Sequence, residues 1–253
     1  MLKPDYLLHI SEGAENIAEQ LHIDIVNQIV DRILTRLDRG DNYLLTSTDK
    51  WQIEVLQDAG MLLEDIEREI ARRTKQQEKE IKSAMEEAGV TALDYDDKIY
   101  RNAGLSPIPL TQSPHLVRIM QRNYDATLGE WKNFTRTTAN EVQRTYIKAM
   151  DKAYNLVTSG AMTHTQAVHE ILKEVIVDGI KVHYPTGHED TIETATLRAV
   201  RTGISQMTAQ IQLARAKEMG VNLVIVSSHL GARPSHEEWQ GKIYSVDWNS
   251  LNI

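Results

Sequence analysis

Residues 177–187, VDGIKVHYPTG, mark a change of grammar in this chain. Ile180-Lys181-Val182-His183-Tyr184 alternates apolar and polar, and Pro185-Thr186-Gly187 supplies a turn. A period of two belongs to a half-buried strand, whereas apolar residues recurring at three and four belong to an amphipathic helix. Almost everything before this stretch has the second period. The fold class follows: mainly α, with a helical N-terminal two-thirds and then a small α+β unit holding a long helix and a short β-sheet.

Upstream, Ile17, Leu21, Ile25, Val26, Ile29, Val30, Ile33, Leu34 and Leu37 fall on one stripe of a helix over about 13–38, with Gly40 placed as its C-terminal cap. Thr46 to Asp49 offer N-caps for a second helix beginning near Lys50. The longest helical candidate is 61–88, and Gly89 is expected to end it. Its middle, Ala71–Glu80 (ARRTKQQEKE), is polar on every side, which suits a helix crossing solvent, a flexible arm, or a helix waiting for a partner. The apolar flanks Ile66, Ile70, Ile81 and Met85 are the residues that would anchor it on a neighbouring subunit. Residues 102–114, NAGLSPIPLTQSP, hold three of the six prolines and read as an extended connector. Helix resumes after Pro114, again near Thr138–Thr158, and briefly over Ala167–Val177.

Downstream, a long helix is expected from about Asp190 to Met219, closed by Gly220. Val221–Val226 reads as a buried strand, and Lys242–Val246 as its partner. Four regions result: helical 1–101, connector 102–114, helical 115–179, and an α+β unit at 180–253.

Composition narrows the function. The net charge of −8 disfavours a protein that coats nucleic acid, which needs a basic face, but leaves room for a local basic patch. The chain has no cysteine, hence no disulfide framework, thiolate metal site or cysteine nucleophile. MLKPDYLLHISEGAENIAEQ has early acids and no unbroken apolar core, so no secretory leader is expected. No run approaches the roughly 18 apolar residues of a membrane span, and a soluble chain is expected.

One stretch carries candidate chemistry: residues 227–245, SSHLGARPSHEEWQGKIYS. His229 and His236, with Glu237, Glu238 or Asp247, could supply a two-histidine, one-carboxylate metal set. Seven residues and a Gly-Ala-Arg-Pro turn separate the histidines, however, so no third ligand is fixed by position. Either histidine could act in acid–base catalysis, yet Ser228 and Ser235 lack the setting of an activated nucleophile. The physics favours a strand–turn–strand corner. Gly231 frees the backbone, Pro234 fixes φ, Trp239 plugs the small core, and the Arg233 and His236 side chains satisfy turn carbonyls.

The string His229-Leu230-Gly231-Ala232-Arg233-Pro234-Ser235-His236, followed by Trp239-Gln240-Gly241-Lys242, resembles the C-terminal signature of tailed-phage minor capsid proteins. The broader pattern is the Mu F-like head morphogenesis domain, whose helix start corresponds here to Thr194, Arg198, Arg201 and Thr202. The closer resemblance is to the phage minor capsid protein 2 group of phages and prophages of low-GC Gram-positive bacteria. It covers about 190–246, the helical remainder agreeing in general character only. Members of the group often continue into a segment that includes cysteines, and this chain has none.

The resemblance implies a low-copy structural head component at the portal vertex, with a role in head assembly and in DNA ejection. The partners it implies are the portal protein ring, the major capsid or scaffold protein, and packaged DNA in transient contact. It implies no membrane, cofactor, metal or catalytic residue; His229, Gly231, Arg233, Pro234, His236, Trp239 and Gly241 would be a structural motif. The competing reading is a metal- or histidine-dependent enzyme or toxin-type effector built on His229 and His236.

Overall fold

The structure, a computed structural model, describes residues 2–38, 47–226, 228 and 233–247. The chain is 79% helical, with a few short strands. Helix α1 spans Pro4–Leu37, starting on a proline whose missing N–H is no loss in a first turn. Helix α2 runs unbroken over Thr48–Asn102. It joins two helices expected separately and passes through Gly89. A Cβ at Gly89 would lie 3.0 Å from Leu110 Cδ2 and 3.6 Å from Ile211 Cδ1. That glycine serves a close approach inside a helix, not a stop.

The connector keeps its extended character apart from one 3₁₀ turn, Leu110–Gln112, which buries Leu110. Helix α3, Pro114–Thr158, is also continuous where two helices were expected. Its threonine-rich middle stays helical because hydroxyls bond back to the preceding turn: Thr135 donates to the Trp131 carbonyl and Thr138 to that of Phe134, each at 2.8 Å. Helix α4, His164–Asp178, opens with a capping box of Thr163 and Gln166.

The change of grammar at Ile180 is real. Strand β1 (Lys181–His183) pairs antiparallel with β2 (Glu189–Thr191), in the register Lys181↔Thr191 and His183↔Glu189. Glu189-Asp190-Thr191 has poor strand propensity and reads as a helix start; the turn before it and a fixed carboxylate make it a strand instead. Buried Asp190 sits 3.0 Å from His188 Nε2 and takes an ion pair from Arg198, on the following helix α5 (Ile192–Glu218). Strand β3 (Leu223–Ile225), a short helix α6 (Pro234–Glu237) and strand β4 (Ile243–Ser245) complete the described chain. The two strands pair antiparallel, with Leu223↔Ser245, Val224↔Tyr244 and Ile225↔Ile243.

Two compact units divide these elements. The α4 unit comprises Glu12–Glu80 and Leu128–Ala199; the ribbon unit comprises Met1–Ser11, Ile81–Thr127 and Val200–Ile253. Helices α1, α2, α3 and α5 contribute to both. In the α4 unit, Leu21, Ile25, Ile29 and Ile33 of the stripe read from the sequence are buried, with Trp51, Leu62, Trp131 and Tyr146; Val26 and Val30 are part-covered and Leu34 is exposed. Arg36 is buried there too, paired with Asp58, 3.2 Å from Glu54, and lying over the Trp51 ring at 5.0 Å. The Tyr146 hydroxyl reaches Asp58 at 3.4 Å; burial, then the Asp58 charge, pushes its pKa well above the usual phenol value. In the ribbon unit, Ile81, Met85, Leu93, Leu116, Ile204, Met207 and Ile211 form the core.

Candidate functional site

The sequence offers two places for function, and the structure treats them differently. The first is the polar segment Ala71–Glu80 of α2 with its apolar flanks. Ile66 and Ile81 are wholly buried, Met85 is buried, and Ile70 is half-buried. Ile66, Ile81 and Met85 thus belong to the chain's own core, and Ile70 is part-covered.

Nor is the polar segment unsupported. Gln77 is buried and donates its amide to the Ala14 carbonyl at 3.3 Å. Thr74 accepts from the Trp131 indole at 2.9 Å, and Glu69 accepts from Arg73 at 2.8 Å. Lys132 pairs with Glu78 at 3.2 Å. Hydropathy alone scores these residues as solvent-facing; the helix seats them because inward polar groups meet polar partners, Gln77 through its amide N–H alone. The missed signal was the complementary polar residues on α1 and α3.

The second place is the C-terminal motif. His229 and Gly231 lie outside the described residues. Arg233 precedes α6 in extended backbone (φ −61°, ψ 144°), Pro234 takes the first helical position, and the His236 N–H donates to the Arg233 carbonyl at 2.7 Å. Gly241 has φ +69°, a region that glycine enters without strain, and its N–H donates to the Val226 carbonyl at 2.8 Å. The Val226 N–H returns to Lys242 at 3.0 Å, and the Val246 N–H reaches Asn222 at 2.7 Å. The motif thus closes an antiparallel ribbon.

Trp239 does not plug a core, as expected, but is 43% exposed. Its indole donates to the Ser235 carbonyl at 2.9 Å, and its ring lies 4.9 Å from that of His236. Strand β3 is not buried either: Leu223 is 57% and Ile225 69% exposed, with Ile243 of β4 at 67%. These three side chains share one face, because Ile225 opposes Ile243 and Leu223 stands two residues before Ile225. A β-branched run normally finds a second layer; among the described residues this one has none. Tyr244 adds a half-covered aromatic on the other face.

Among the described residues no three histidine, aspartate or glutamate side chains gather as a metal would need. One open space of the α4 unit is a cleft of about 380 Å³ between α3 and α4, where Lys152 pairs with Glu174 and Lys181 with Glu189. Its charges answer one another. No described helix is long and apolar enough to cross a membrane.

Exposed apolar side chains also occur on helices, at Ile53 and Leu56 of α2 and at Ile176 and Val177 of α4, but the ribbon is the described element whose β-branched strands lack a covering layer. The model of the family phage minor capsid protein 2 matches residues 2–250, and the chain belongs to that family. The match reaches well beyond the C-terminal signature into the helices, where sequence reading found only general character. No curated protein matches the chain, and no solved structure does.

Proposed function

We propose that this minor capsid protein is a low-copy assembly component of the portal vertex, docking on the portal ring through its β3–β4 ribbon rather than through α2. The observation that carries the reading is the exposed face Leu223, Ile225 and Ile243. A two-stranded ribbon is marginal in water by itself and gains most from a surface that covers it. Its outer edges also offer main-chain groups, those of Leu223 and Ile225 on one side and of Ile243 and Ser245 on the other, for strand addition. A ring partner presents the same site on every subunit, so occupancy follows the ring, fully or in part. The role is structural, with no catalytic residue, and Arg233, Pro234, His236 and Gly241 serve to shape the link.

Co-expression with the portal protein, purification at low and moderate salt, and reconstruction of the complex test this. Docking should appear at the ribbon. Ile225→Lys with Ile243→Lys should lower the affinity at least tenfold, since each desolvated apolar anchor contributes on the order of 1 kcal/mol or more, while helix content stays unchanged. Two folded proteins that fail to co-purify would sink the portal assignment; contact density confined to α1 or α2 would sink the ribbon.

A further inference from the structure

A docking element is useful only if the body holds it in a fixed direction, and the last turn of α5 is built to do so. Arg215 is fully buried in the ribbon unit. Its guanidinium donates to Glu218 at 3.0 Å and to the Ile108 carbonyl of the connector at 2.6 Å, and forms a 3.0 Å ion pair with Asp97 of α2 that is not aligned as a hydrogen bond. Glu218 in turn accepts from the Ser113 hydroxyl at 2.6 Å. One side chain therefore ties the end of α5 to α2 and to the connector, using the planar fork that a lysine lacks. Immediately beyond, Gly220 has φ +68°, and the Val221 N–H returns to the Ala216 carbonyl at 2.9 Å, so the chain leaves toward β3 along a set path.

We propose that Arg215 is a positioning residue: with Asp97, Glu218 and the Gly220 cap it forms a rigid stem that fixes the direction of the β3–β4 ribbon. The proposal gives the stem its purpose through the docking role above. Its test reads the free chain, so the two stand or fall separately.

Because the sequence has no cysteine, Arg118→Cys and Lys242→Cys create two unique sites for spin labels, both within the ribbon unit. The otherwise unaltered protein should give one narrow distance distribution. Arg215→Lys should broaden it at temperatures where circular dichroism shows full helix content. Arg36→Lys, which weakens the other buried arginine in the α4 unit, should leave it narrow. If Arg215→Lys does not fold, Gly220→Ala serves: a Cβ there meets nothing within 4 Å, so only the backbone path is disturbed. It should shift the mean distance. Distributions that superimpose on that of the parent overturn the stem, and so does equal broadening in Arg36→Lys, which would mean general loosening.

Discussion

At the residue scale, glycines and carboxylates show how little their identity says without their neighbours. Gly203 looks in the sequence like a mild flaw in α5. In the fold, a Cβ there would run into the Thr127 hydroxyl and stand 3.1 Å from Met85 Cε. Gly203→Ala should therefore destabilise by about 1–3 kcal/mol, the usual range for overpacking, despite its better helix propensity; denaturant unfolding measures it. Asp96 is the opposite surprise. It looks like one of many surface acids, but burial raises its pKa, and the amide of Gln212 at 2.9 Å only partly offsets this. A carboxyl whose folded pKa is raised adds stability below its unfolded value, near pH 4, and loses that contribution as pH rises through the folded value. Asp96→Asn should thus be more stable than the parent at neutral pH, with the gap closing in acid. An unchanged difference from pH 3 to pH 7 would contradict this.

At the element scale, the strand–helix boundary at Ile180 was legible because a period of two differs plainly from a period of 3.6. Helix lengths were not. Glycine and threonine count against helix in any local reading, yet α2 crosses Gly60 and Gly89, and α3 crosses Gly129 and its threonine cluster, because packing along both helices outweighs about 1 kcal/mol per glycine. This yields a contrast within one helix. A Cβ at Gly60 meets nothing within 4 Å, whereas at Gly89 it meets Leu110. Gly60→Ala should raise stability by about 0.4–1 kcal/mol, and Gly89→Ala should not; paired thermal melts decide. The ribbon strands were found by pattern, but their exposure was not, since β-branched periodicity shows that a face is apolar without showing what covers it. For the same reason Ala71–Glu80 of α2 looks unsupported in the sequence: polar partners from α1 and α3 are invisible to a hydropathy profile.

At the scale of the molecule, the two compact units share their longest helices. Neither is a continuous stretch of chain, and α2 and α3, of 55 and 45 residues, enter the cores of both. Ile66 and Ile81 lie on the same helix yet are buried in different units. Unfolding one unit would leave half of each long helix without the packing that supplies most helical stability in water. The units should therefore melt as one cooperative transition, although their cores are distinct. Buried Trp51 and Trp131 make tryptophan fluorescence sensitive to the α4 unit, while far-UV circular dichroism follows the helices of both. In urea the two signals should coincide. A sharper form uses one lesion in each unit: Gly203→Ala in the ribbon unit and Arg36→Ala in the α4 unit, the latter leaving Asp58 without its buried partner at about 3–5 kcal/mol. Each should move both signals together to a lower midpoint. If Gly203→Ala instead splits the curves, with dichroism falling before fluorescence, the shared helices do not couple the units, and each must be treated as folding independently.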